Sequence, residues 1–242
     1  MAMATDNIFD QVEALIASDQ RQQLPESVDA ILKLISKLPG AGALVWAVRY
    51  ESEKQRGENS ELMLTTMWQE LKRLSAEFQE FCKGDPAKPE EVRRLVVDGM
   101  RKAEDLRDRR RVERIGKILA HAIALGPPSD FDKAEELMRV ARDLSDQDVF
   151  ALGHLYESQF AALNNVGWNI DVDGVNKIWR ENPPKIPGTV LPGERDSILL
   201  KLQGLGLATA VERRDTQVGP NERVFALLPK GADFVRYAKG TS

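Results

Sequence analysis

Ser197-Ile-Leu-Leu-Lys-Leu-Gln-Gly-Leu-Gly-Leu207 decides the fold, together with the two segments that follow it. Ile198, Leu199, Leu202 and Leu205 recur at helical spacing and give a helix one apolar side, which Gly204 and Gly206 end. Leu207, Thr209 and Val211 then alternate with Ala208 and Ala210. Val224, Ala226 and Leu228 alternate likewise across Gly219-Pro220-Asn221, a turn signal, so two short strands are expected in a hairpin. Pro229-Lys-Gly-Ala-Asp-Phe-Val-Arg-Tyr237 closes the run as a further helix.

Upstream, Ser145-Asp-Gln-Asp148 offers acceptor side chains to the first amides of a helix carrying Val149, Leu152, Tyr156, Phe160 and Leu163. A short helix through Val172, Val175, Ile178 and Trp179 follows, then a Pro-rich connection from Asn182 to Gly193. From about Ser145 to Tyr237 this order of elements resembles winged-helix domains, above all in the Leu-rich third helix, the Leu205-Gly206-Leu207 stop and the hairpin leading into Leu227-Leu228-Pro229. The resemblance implies a helix-turn-helix whose second helix can enter a DNA major groove; in that alternative Arg195, Lys201, Arg213, Arg214 and Arg223 are the candidate duplex contacts. Charge placement points elsewhere. Glu194 and Asp196 flank Arg195, while Glu212, Asp215 and Glu222 neighbour the wing arginines, whereas phosphate binding needs a local cationic excess.

The preceding residues read as helix after helix. Short apolar stripes at Ile8, Val12, Leu15 and Ile16, and at Val28, Ile31, Leu32, Ile35 and Leu38, lead to a break at Pro39-Gly-Ala-Gly42. Leu64, Met67, Trp68, Leu71, Leu74, Phe78 and Phe81 mark a long helix near 58–82. Val92, Leu95, Val96, Gly99, Ala103 and Leu106, continued by Val112, Ile115, Leu119 and Ile123, mark another near 90–125. The six-residue step from Leu106 to Val112 changes the phase of that stripe near Arg109-Arg110-Arg111, where a bend or a change of packing partner is expected. Phe131 to Leu144 supplies one more amphipathic helix. The expected architecture is therefore mainly α: an N-terminal antiparallel helical bundle over residues 1–144, followed by a C-terminal winged-helix-like domain with one small β-hairpin over residues 145–242.

Several motifs are incomplete. Asn169-Ile-Asp171-Val-Asp173-Gly174 imitates the start of a calcium loop, but Arg180 stands at the twelfth position, where a bidentate carboxylate belongs. Gly40-Ala-Gly42 lacks the third glycine of a dinucleotide fingerprint and follows a helical pattern, not a strand. The hairpin around it, with Leu38, Leu44, Val45, Trp46 and Val48, suits core packing or a surface contact with a membrane or partner. In the basic run Arg101 to Arg114, Glu104 with Arg107, Asp105 with Arg109, Asp108 with Arg111 and Glu113 with Lys117 stand three or four apart, so an ion-paired, solvated face is expected. His121 and His154 each sit alone in a helical pattern, and Cys82 has no nearby His to make it a nucleophile.

With 34 Lys and Arg against 38 Asp and Glu, no global field draws the chain to DNA or an anionic membrane. The single cysteine excludes an internal disulfide. Met1-Ala-Met-Ala-Thr-Asp6 has no basic or apolar signal region, and a cytoplasmic location is expected. No hydrolase elbow, phosphate loop or zinc motif occurs. The sequence thus points to a non-enzymatic interaction or regulatory protein without a cofactor or small-molecule ligand. Its expected partner is another protein or a second copy of the chain, with DNA binding and membrane activity as alternatives.

Overall fold

The computed structural model describes residues 57–74, 77, 89–125, 129–165, 167–168, 174, 177–178, 192–211 and 224–239. Within them lie seven helices and one two-stranded antiparallel sheet. The helices are α1 (Glu58–Arg73), α2 (Pro89–Glu104), α3 (Arg109–Leu125), α4 (Ser129–Asp143), α5 (Asp146–Asn165), α6 (Pro192–Gly204) and α7 (Pro229–Lys239); the strands are β1 (Ala208–Val211) and β2 (Val224–Leu227). The chain divides into two compact units after Arg142. The apolar stripes before residue 57, the hairpin expected around Pro39–Gly42, and Phe78, Phe81 and Cys82 lie outside the described residues, as do residues 169–173 and 212–223.

In the first unit, α1 opens with Glu58 and Glu61 and closes with Lys72 and Arg73, each sign at the helix end where the macrodipole favours it. Its Met63, Leu64, Met67, Trp68 and Leu71 are buried. The expected helix near 90–125 is two helices. Asp108 ends the interruption by accepting the Arg110 amide at 3.0 Å as an N-cap, so the six-residue step marks a break and a restart. Asn59 occupies the other side of the break: its Nδ2 donates to Glu104 O at 3.1 Å and Leu106 O at 2.6 Å, satisfying carbonyls that the end of α2 leaves without helical partners.

Two glycines set how closely these helices approach. A Cβ on Gly116 of α3 would stand 2.6 Å from Met63 O and 3.1 Å from Met67 N, so α3 lies flush on the α1 backbone there. A Cβ on Gly99 of α2 would meet Met63 Sδ at 3.3 Å, Met138 Sδ at 3.4 Å and Leu119 Cδ1 at 3.5 Å. Side chains of α1, α3 and α4 thus converge on one residue of α2.

In the second unit α5 is the hub, with α6, α7 and β2 packed on it. Leu152, Leu155, Gln159 and Leu163 form its buried side. α6 ends as the two glycines imply: Gly206 takes φ +69°, its amide reaches Gln203 O at 2.9 Å, and the Leu207 amide reaches Leu202 O at 2.9 Å. That double bond is the Schellman arrangement, and it turns the chain directly into β1. Lys230 Nζ takes the remaining Leu205 carbonyl at 2.9 Å. β1 and β2 pair from Ala208 opposite Leu227 to Val211 opposite Val224, and the Leu228 amide extends the contact to Leu207 O at 3.0 Å.

The alternation expected in β2 is not seen in its burial, because Val224, Phe225, Ala226 and Leu227 are all buried. Gln159 of α5 explains one side. Its Nε2 donates to Phe225 O at 3.1 Å and its Oε1 accepts from the Leu227 amide at 3.0 Å, so one side-chain amide acts along β2 as a neighbouring strand would. Of the short helix expected through Val172 to Trp179, the described residues Gly174, Lys177 and Ile178 are helical, with Ile178 buried.

Candidate functional site

Of the residues proposed from the sequence for duplex contact, Arg195 and Lys201 are described, and both lie on α6. Arg213, Arg214 and Arg223 lie outside the described residues, as do Leu38, Leu44, Val45, Trp46 and Val48. Arg195 is half-buried in the first turn of α6. Lys201 lies in its last turn, and its ammonium is bound by groups of the protein.

That binding begins with the cap of α5. Ser145 Oγ accepts the Asp148 amide at 3.2 Å, and Asp148 Oδ2 accepts the Ser145 amide at 2.7 Å, a reciprocal capping box. Two orphan amides are satisfied at once. Lys201 Nζ then sits 2.6 Å from the same Asp148 Oδ2 and donates to Asp143 O at 2.8 Å. The Asp148 side chain is 4% exposed and that of Lys201 is 42%, so the carboxylate is sunk in the protein while the lysine stem reaches down to it from the surface.

The exposed part of α6 carries Glu194, Asp196, Ser197, Leu200 and Gln203, and Lys201, itself 42% exposed, is turned to Asp148. Acids lie at the helix start and an apolar side chain stands midway. This arrangement can dock against a protein surface by side-chain contacts, but it offers phosphates little. On α5 the rings of Tyr156 and Phe160 stack at 4.6 Å, and Trp168 follows at 6.0 Å from Phe160, with Arg236 over the Phe160 ring at 6.0 Å. Trp168 adopts φ +60°, an uncommon conformation for a bulky residue, beside Gly167 at φ +71° in the turn that ends α5.

A second polar cluster lies in the first unit. His121 of α3, 3% exposed, places Nε2 3.0 Å from Glu70 Oε1 on α1. The same oxygen accepts from Arg73 Nη2 at 2.6 Å and Arg73 Nε at 2.9 Å. Burial would raise the Glu70 carboxyl, but Arg73, by hydrogen bond and charge, and then His121 outweigh it and hold the pKa below the usual carboxylate value. Burial pushes His121 below its ordinary value against the opposing pull of Glu70. At the start of α1, burial and then the nearby Glu58 charge raise Glu61.

Sequence spacing does not find this cluster, because its members stand 51 residues apart. A signal was present nonetheless: Glu70 interrupts the apolar stripe of α1 beside Leu71, and His121 falls inside the buried run from Ile118 to Ala124. The basic run at 101–114 also differs in part from a solvated face. Asp108 and Arg111 approach to 3.4 Å as expected, but Arg111 Nη1 also donates to Arg142 O at 2.5 Å, and Arg114 is buried one turn before Ile118.

Among the described residues, no group of three or more His, Cys, Asp or Glu side chains could hold a metal ion, and no helix is long and apolar enough to cross a membrane. Comparison with family models, curated proteins and solved structures found no match.

Proposed function

We propose that the chain is a non-enzymatic, cytosolic interaction or regulatory protein, in which an N-terminal helical bundle carries a winged-helix-like module that contacts protein through its third helix, α6. One observation carries this reading: the cation nearest the end of α6 is engaged by Asp148 and Asp143 O, while Glu194, Asp196 and Leu200 face outward. A helix that read DNA would present its lysine to phosphate and keep acids away from its leading end. The order of α5, α6, the β1–β2 hairpin and α7, with the Gly206 stop between helix and strand, supports the winged-helix reading.

The test is anisotropy of a labelled mixed-sequence duplex titrated with the full chain at about 50 mM and about 200 mM salt, the range over which phosphate contacts lose most of their affinity. No binding at either concentration is the expected result. Binding that falls steeply with salt and weakens on Arg213→Ala with Arg214→Ala would replace this proposal with a DNA-binding regulator.

A further inference from the structure

The buried cluster on α1 and α3 has no part in the reading of α6, yet its chemistry is specific. Glu70 and Arg73 cancel in charge, and a neutral His121 completes the group by donating Nε2–H to Glu70 Oε1. That oxygen also accepts two bonds from Arg73. A proton added to His121 would leave a net positive charge at a site 3% exposed, close to the Arg73 guanidinium. Among the described residues, the other charged groups around α3 offset it only in part. Glu77, beyond the end of α1, acts on the ring more weakly than Glu70. On α2, which also packs on α3, Glu91, Arg94, Arg101 and Glu104 are exposed, and Asp98 pairs with Lys102. On α3 itself, Arg114 and Lys117 lie on the turns leading to His121, and both are cations.

We infer that Glu70, Arg73 and His121 form a pH-operated latch holding α1 on α3, and that mildly acid conditions release α1 and bare its apolar side. The helix freed in this way carries Met63, Met67, Trp68 and Leu71, all buried when it is seated. The sign follows from the direction of each shift. His121 is held below its usual value of about 6.5, so its contribution is complete above that pH and is lost as the pH falls below it. Glu70 is held below the usual carboxylate range, so it stays charged through the same interval and its own loss comes only at lower pH. The working window therefore opens as the pH falls below about 6.5, and the titrating group is the histidine.

Hydrogen exchange of α1 amides in the full chain, corrected for the intrinsic pH dependence of exchange, tests the latch at pH 7.5, 6 and 5. One-proton linkage predicts that the opening equilibrium of α1 rises with falling pH below about 6.5, by at most about tenfold per unit. The rise is expected in α1 and α3, with α5 to α7 unchanged. His121→Gln keeps a donor for Glu70 without a titrating ring and should flatten the profile, while His154→Gln should leave it as in the wild type. Three outcomes would overturn the inference: α1 protection that does not change with pH, a loss spread evenly over both units, or a His121→Gln profile matching the wild type. If His121→Gln does not fold, the first two outcomes still decide on the wild-type chain.

Discussion

Replacing Lys201 by Met tests the most consequential contact in the second unit, because methionine keeps much of the stem and removes the charge. Two bonds disappear, to Asp148 Oδ2 and to Asp143 O. A carboxylate with a 4% exposed side chain then keeps the Ser145 amide and loses its counter-charge. Breaking a fully buried pair costs about 3–5 kcal/mol, and an exposed pair is worth less than about 1. Lys201 is 42% exposed, so solvent screens its end of the pair and the expected loss is about 1–2 kcal/mol. Urea unfolding followed by far-UV circular dichroism measures it, with peptide-resolved exchange assigning the loss to α5 and α6. Asp148→Asn retains an acceptor for the Ser145 amide and completes a double-mutant cycle with Lys201→Met. A single-mutant effect below about 0.3 kcal/mol with no coupling to Asp148 would refute the reasoning, since such a lysine would be free for another role.

Two further substitutions probe packing. Gly116→Ala puts a methyl group 2.6 Å from Met63 O, so α1 and α3 must separate, with an expected loss of about 1–3 kcal/mol in urea unfolding and faster exchange in α1. Stability equal to wild type would mean the two helices are not in close contact there. Gln159→Leu keeps the volume near that of the amide but strands the Leu227 amide and the Phe225 carbonyl, at an expected cost of about 1–3 kcal/mol. The same variant should speed exchange at Leu227, and an unchanged rate there would argue against the clamp.

What the sequence discloses here is whatever depends on near neighbours along the chain. Ser145 and Asp148 stand three apart and cap α5 as that spacing implies, and the two glycines after Leu202 mark the turn into β1. The phase change after Leu106 signals a discontinuity, and Asp108, a good N-cap, makes it a complete break. That break removes Glu104 and Asp105 from the helical register of Arg107 and Arg109, which is why a face drawn on one continuous helix does not hold. Contacts across the fold escape such reading. Lys201 meets Asp148 over 53 residues, Gln159 meets Leu227 over 68, and His121 meets Glu70 over 51. Lys201 therefore reads from the sequence as an available cation, although the fold has already committed it.

Gln159 carries one more implication, for how other molecules can engage the hairpin. Strand addition needs a row of open backbone donors and acceptors along a sheet edge, and from Phe225 to Leu227 on β2 that row is answered by a side chain from within the same unit. A visiting peptide would have to displace two buried hydrogen bonds to align there, and would gain no more than it removed. Recognition along that stretch is thereby left to shape and side-chain chemistry, and the growth of the sheet from one molecule to the next is blocked at its second strand.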